Sequence, residues 1–500
     1  MRLTRQERRE YLRREPRVDA VMNSVEGLAE LPRVVRRDIC TAVALARKFN
    51  DLVVRPVYRE IDERVRRDHD FLPHDFIRTA NRWGLFSLWI PKVLGGGGLD
   101  LLSLYPFLEE VSSVCVGLAN VIGVHYLGVS TLAASWNVRL MDVIYREVSR
   151  ASHGDDACLI SLAITEPLAG TDMEEPELLQ RARIGTVATR TAGGWVLDGR
   201  KVFISNGHVS TWHMVIAYGD RRNPLETAVM AAVRTGTRGF RFGAHEKKMG
   251  QRACVASELV FDACFVPDEL ICAAPAAFAE CVKDPRQITQ DMIDFVVASS
   301  RAGVGAFATG AARGAYEAAL ALACRTHVDG DLLVNRQEAQ LALAEMYRNV
   351  NMARALYLEA AYANALRGMF RDLYGRAVHL LARLTPRWCF TAFLSPLLRR
   401  ESLSERIRRR AFDGYGEEDG RVASGWASIA KFSCSDLAIC NCDMAMDLVG
   451  AEGLRLDGGV EKHLRDAKLL QIYEGTNELN RLNLLKTLVV PNVPEARVFE

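Results

Sequence analysis

The hydrophobic period changes twice along this 500-residue chain, and that order constrains the fold more than composition does. Up to about residue 157, apolar residues recur at three- and four-residue spacing, as in ICTAVALARKFNDLVVRPVYREIDERV from Ile39 and HDFIRTANRWGLFSLWI from His74. From Cys158 the text turns into short β-branched or aromatic runs: ACLISLAIT, WVLDGRKVFISNG, WHMVIAYG, TAVMAAV and SELVFDACFVP, divided by Gly, Asn and Asp turns. Long amphipathic helical runs return after Pro285 and suit an antiparallel bundle. An α+β chain is expected: a helical part over 1–157, an antiparallel β part over 158–274 and a helix bundle over 275–490. No βαβ alternation is present, which argues against a doubly wound sheet.

Two segments stand apart. Residues 1–50 form a basic, helical extension, and residues 369–423 are an arginine-rich insertion in the bundle, broken by Pro386 and Pro396. In GRAVHLLARLTPRWCFTAFLSPLLRR and SERIRRR, arginines mix with Trp388, Phe390, Phe393 and leucines, without one lysine. The functional reading is a surface that docks on a membrane or an acidic partner, and the bland one is an extra helical hairpin covering the bundle.

With 49% apolar and 25% charged residues the chain has the composition of a globular protein. A net charge of +2 gives no electrostatic case for nucleic acid. Twelve cysteines lack CxxC spacing, the Cys440–Cys442 pair lies in a helical run, and no HExxH is present. Reduced thiols and no metal site are expected. The start, MRLTRQERREYLRREPR, carries Glu7, Glu10 and Glu15 and no apolar core, so it fits neither a secretory signal nor a transit peptide. No apolar run reads as a membrane span, and a cytoplasmic location is the expectation.

GVGAFA at Gly303 matches a dinucleotide fingerprint in form. Its glycines lie in a continuous small-residue helix with Gly310 and Gly314, where small side chains serve close packing. Better material lies in LAITEPLAGTD (Leu162 to Asp172) and RKVFISNG from Arg200. Thr165, Thr171 and Ser205 are hydroxyls at strand ends among glycines, and Phe203 offers a flat face. Together they suit a ring with polar edges, such as an isoalloxazine, although each stretch alone is ordinary turn chemistry. LLQIYEGTNELNRL from Leu469 sets Glu474 between Tyr473 and Gly475 in the gap between two helical runs. That carboxylate is either a helix-junction charge or a base placed where the chain opens to a ligand.

In order, PKVLGGGGLD, ITEPLAGTD, LDGRKVFISNG, KKMGQRACVASELVFDACFVP, SRAGVGAFATGAARGAYEAAL and LRDAKLLQIYEGTNELNRL make the chain resemble the acyl-CoA dehydrogenase family from about Phe71 to Lys486. The resemblance implies an α domain, a β domain and a four-helix domain, usually in a tetramer. It also implies FAD, an acyl-CoA substrate and a trans double bond formed between the α and β carbons, with electrons passed to an electron-transferring flavoprotein or similar carrier. By motif, Thr165 and Ser205 would bond the flavin, Phe203 would stand where the family often packs a tryptophan, and Thr476 would meet the FAD pyrophosphate. Glu474 falls on the base position, with Thr171, Arg301, Tyr473 and Gly475 around the substrate. Some family members carry the base on the earlier helix beside the arginine matching Arg301; here that neighbour is Ser300.

The chain departs from the family in two turns. An RxxFG turn that contacts FAD across a subunit interface reads RTHVDG, one residue longer and without the aromatic, at Arg325. A QxxGGxG loop reads DLVGAEG, with Asp447 for glutamine and Ala451 for glycine. An acyl-CoA oxidase and a non-catalytic flavoprotein scaffold are the alternatives to a dehydrogenase on the same fold.

Overall fold

The computed structural model describes residues 3–14, 33–374, 376–456, 459–493 and 495–499. Residues 15–32 of the basic extension lie outside the described residues. The described part of that extension holds helix α1 (Arg5–Arg13), started by a Thr4/Glu7 capping box.

The first helical part continues with α2 (Arg33–Phe49), α3 (Arg55–Arg67), α4 (His74–Arg82), α5 (Leu104–Ser112), α6 (Val116–Ala134) and α7 (Val138–Ala151). Helix α6 corrects the expectation that no run is long and apolar enough to cross a membrane. Its 19 residues have a mean hydropathy of 1.4, but 78% of the window is buried within the protein. It is apolar all round because α5, α8 and the first strand cover its sides.

The β part is one eight-stranded sheet: β1 (Ile160–Ala163), β2 (Val187–Thr191), β3 (Gly194–Ser205), β4 (Trp212–Tyr218), β5 (Ala228–Arg234), β6 (Phe240–His245), β7 (Ala256–Pro267) and β8 (Ile271–Ala273). The strand order is β6-β7-β3-β2-β4-β5-β8, with β1 beside β4. Most pairings are antiparallel, but β1 runs parallel to β4, and β2 meets β4 in parallel at Val187 and Tyr218. The sheet is therefore mixed. After β1 the chain makes an excursion over 164–186 and then the β2–β3 hairpin, so it returns beside β1 in the same direction.

The second helical part comprises α8 (Pro285–Ala323), α9 (Gln337–Arg367), α10 (Arg376–Leu384), α11 (Glu401–Asp413), α12 (Glu417–Val449), α13 (Val460–Leu470) and α14 (Asn477–Leu484). Asp284 starts α8 by accepting from Gln287 N at 2.8 Å, with Pro285 in the first turn. The GVGAFA segment is an uninterrupted stretch of α8. A Cβ on Gly305 would lie 2.8 Å from Tyr357 Cβ, and one on Gly310 would lie 2.4 Å from Ser112 Cβ. These glycines bring α9 and α5 close to α8, and no phosphate loop exists there.

The insertion lies back on the first helical part. Lys92 Nζ donates to the carbonyl of Arg383 (2.7 Å), and the Arg383 guanidinium pairs with Asp38. Arg146 donates to Thr391 Oγ1 (2.9 Å), while Ser395 Oγ and Arg399 Nε both reach Asp142 Oδ2 (2.7 and 2.9 Å). Residues 417–423 are the first turns of α12, because Gly414 and Gly416 separate α11 from it.

Candidate active site

The loop that carries Glu474 is built by two helix ends. Helix α13 stops at Leu470, and Thr476 starts α14 by accepting from Leu479 N at 3.3 Å. Between them Glu474 (φ 55°) and Gly475 (φ 73°) are both left-handed. A non-glycine residue there costs roughly 1–2 kcal/mol, so the surroundings must hold it. Asn480 Nδ2 donates to the carbonyls of Glu474, Gly475 and Thr476 (3.2, 3.1 and 2.9 Å). Buried Lys431, on α12, donates to Gly475 O (2.5 Å) and Asn477 Oδ1 (2.7 Å).

This loop turns the Glu474 carboxylate into a cavity of about 850 Å³ between the first helices, the sheet and α8. Leu104, Tyr105 and Leu108 of α5, with Gly303, Val304 and Phe307 of α8, make one wall. Thr165, Thr171, Phe203, Ser205, Tyr473 and Gly475 also line it. Six of the sequence-predicted site residues therefore meet Glu474 around one space.

Phe203 sits at the register shift between β3 and β7, with φ 57°. The shift turns its ring out of the sheet, leaving it 59% exposed on the cavity. Leu168, Met249 and Ile472 are further exposed apolar side chains on the same wall. Thr165 lines the cavity, while its carbonyl is occupied by Val202 N (2.9 Å). Flat apolar surface with hydroxyls at its edge is what an isoalloxazine ring requires, so these residues fit a flavin.

Three predicted residues lie elsewhere. Thr476 is outside the lining, and its hydroxyl caps α14. Arg301 is fully buried behind the wall, where its guanidinium donates to Glu174 Oε2 (3.2 Å) and Ser428 Oγ (3.0 Å). From α8 it points at the 171–175 segment, and it is not among the residues that line the cavity. Arg325 is exposed beyond the end of α8 and does not line the cavity.

The structure gives Ser300 a role that the sequence did not show and adds Glu174 and Lys431 beside it. Ser300 Oγ donates to Glu474 Oε2 at 2.5 Å. Glu174 lines the same cavity, and its Oε2 lies 3.1 Å from where a Gly475 Cβ would stand. Burial raises the Glu474 carboxyl above its ordinary value; the Ser300 hydrogen bond and the charges of Arg301 and Lys431 oppose the rise. Burial also raises Glu174, against the Arg301 charge and with help from the Glu474 charge. Burial lowers Lys431 to about 7. Two carboxyl groups and two basic side chains thus share a buried centre. A carboxylate two residues after TEPLAGTD was the only available signal for Glu174, and nothing in the sequence pointed it at Glu474.

The sequence matches the acyl-CoA dehydrogenase N-terminal domain over residues 41–135, the middle domain over 161–264 and the C-terminal domain over 292–384 and 409–489. The chain is 26% identical to the probable acyl-CoA dehydrogenase fadE25 of Mycobacterium leprae, covering 93% of this chain and 98% of that protein. Its fold resembles the butyryl-CoA dehydrogenase of Megasphaera elsdenii (TM-score 0.68, 23% identity, 92% and 99% coverage). It also resembles a chain in the structure described as the electron transferring flavoprotein of Acidaminococcus fermentans (TM-score 0.69, 23% identity, 92% and 98% coverage).

Fold and matched domains together define a flavin-dependent oxidoreductase. The chain belongs to the acyl-CoA dehydrogenase family, whose members bind FAD.

Proposed function

We propose that this protein dehydrogenates an acyl-CoA thioester to the trans-2-enoyl-CoA, with Glu474 as the base. The observation that carries this reading is the Glu474 carboxylate, turned into the cavity by a strained loop and raised by burial. A carboxylate in water is too weak to remove a thioester α-proton quickly; one withdrawn from water is a stronger base. Glu474 takes the α-proton, the electron pair left by that C–H bond forms the new double bond, and the β-hydrogen leaves as hydride with its own pair. FAD, when bound, accepts that hydride.

The chain's own residues bind, orient and exclude water. Phe203 gives the ring a face, Thr165 and Ser205 bond its edge, and Thr476 and Arg325 serve its phosphate and adenine ends. Thr171, Tyr473 and Gly475 border the thioester. Arg301 acts through Glu174 and through its charge on Glu474. Arg325 lies away from the cavity of its own chain, so in this reading it contacts the cofactor of a second copy in a homo-oligomer. Electrons pass to an electron-transferring flavoprotein or similar carrier, and we place the enzyme in the cytoplasm, in fatty-acid β-oxidation.

Anaerobic mixing of the yellow enzyme with a panel of acyl-CoAs tests this reading. The expected result is bleaching of the flavin by wild type, and binding without bleaching by Glu474→Gln, with a loss of about 10²–10⁴ in reduction rate. Reduction at near wild-type rate in the variant removes Glu474 as the base. Rapid reoxidation by air with peroxide release identifies an oxidase instead.

A further inference from the structure

The insertion is amphipathic the wrong way round for a covering hairpin. Its anchoring groups face the protein: Arg383 meets Asp38, and Ser395 and Arg399 meet Asp142. Between residues 380 and 397 six large apolar side chains face outward, while Leu394 and Leu398 pack inward. On α10, Leu380, Leu381 and Leu384 are 58%, 68% and 73% exposed. Past Pro386 the pattern continues with Trp388 (65%), Phe393 (68%) and Leu397 (41%). The Trp388 and Phe393 rings lie 6.4 Å apart, so they form one patch. Isolated exposed leucines are ordinary, but six large apolar groups within 18 residues are not.

Charge selects the occupant. From Leu373 to Arg400 the sequence holds five arginines and no aspartate or glutamate. Arg387 and Arg400 are exposed and have no carboxylate partner among the described residues. A second copy related by a two-fold axis would set this cationic surface against itself. A layer of anionic headgroups over acyl chains satisfies both the cations and the apolar side chains.

We infer that the surface formed by α10 and residues 388–397 is a docking site for a membrane carrying anionic lipid. Trp388, Phe393 and the three leucines enter the headgroup–acyl boundary, while Arg387 and Arg400 meet lipid phosphates. The anchors to Asp38 and Asp142 join the docked segment rigidly to the first helical part. This inference does not depend on the reaction assigned to the cavity.

The test is co-sedimentation of the full-length protein with phosphatidylcholine vesicles, with and without phosphatidylglycerol. Binding to the anionic vesicles is expected, weakened by salt. It should fall about tenfold or more in Leu381→Ser/Trp388→Ala/Phe393→Ala and again in Arg387→Glu/Arg400→Glu. All five positions are exposed, and an unchanged melting temperature verifies that each variant is folded. Absence of binding to anionic vesicles, or equal binding by the triple variant, overturns the proposal. Equal binding to neutral vesicles overturns the role of the anionic lipid. A triple variant that lowers the oligomeric mass in light scattering, with no vesicle binding by wild type, assigns the face to a second copy. Failure on vesicles together with capture of a purified acidic carrier protein assigns it to that partner.

Discussion

Ser300 Oγ donates a 2.5 Å hydrogen bond to Glu474 Oε2 across 174 residues of chain. The serine is next to Arg301 on α8 and donates to the carboxylate proposed here as the base. A hydrogen bond to the ionised carboxylate favours that form and opposes the rise from burial.

Ser300→Ala should therefore move the acidic limb of the pH–rate profile for flavin reduction to higher pH. A hydrogen bond to a charged group contributes about 1.5–3 kcal/mol, so the rate below the limb should drop by tenfold or more. An unchanged profile would mean that Ser300 only packs against the loop.

Glu174→Gln and Lys431→Met should shift the same limb in opposite directions. Removing the Glu174 charge relieves repulsion on Glu474 and lowers its pKa, whereas removing the Lys431 cation raises it. The faces of this centre carry Glu174, Glu175, Arg301, Lys431, Asp436 and Glu474, and only the first and fourth of these are altered. Rapid-mixing flavin reduction over a pH series gives the sign directly, and shifts in one common direction would sink the account.

Gly475→Ala should destabilise the loop by about 1–3 kcal/mol. Its φ is 73°, and a new Cβ would stand 2.9 Å from Leu479 Cδ2 and 3.1 Å from Glu174 Oε2. Thermal unfolding should show a lower midpoint, together with slower flavin reduction because the carboxylate is displaced.

Behind the cavity, Glu109 and Glu110 on α5 form a buried ionic network. Arg354 reaches Glu109 (2.6 Å), and Tyr357 donates to it (2.7 Å). Arg47 and Arg313 reach Glu110 (2.9 and 3.1 Å). Burial acts to raise Glu110, but the charges of Arg313 and Arg47 outweigh it and hold the carboxyl at about 2. A depressed carboxylate contributes stability that is fully present above its unfolded value and is lost as pH falls towards about 2. Denaturant titrations should show that loss setting in as pH falls through the ordinary carboxylate range and completing towards about 2. Arg354→Met leaves Glu109 buried without its main partner and should cost about 3–5 kcal/mol. A midpoint unchanged at neutral pH would refute the network's weight.

The sequence by itself determined what is local. Helical, β and helical text follow one another because period 3.6 and period 2 are read over a few residues. Thr476 could be named as the start of α14, and GVGAFA could be refused as a phosphate loop, from immediate neighbours alone. TEPLAGTD, FISNG and YEGT pointed to a flavin site through their resemblance to a family, and the structure brings their residues around one cavity. Tertiary structure decided the rest. Ser300, Glu174 and Lys431 surround Glu474 only because α8, the 171–174 turn and α12 converge, and no periodicity encodes that meeting. The β1–β4 pairing is parallel because of the excursion between them, and α6, apolar enough for a membrane, is wrapped by its neighbours. The direction of Arg301 from α8 towards Glu174, and the insertion's outward leucines, depend on how these elements pack and on where Asp38 and Asp142 hold the insertion. Burial and charge act through space, so the pKa of the base belongs to the folded arrangement and not to any stretch of the chain.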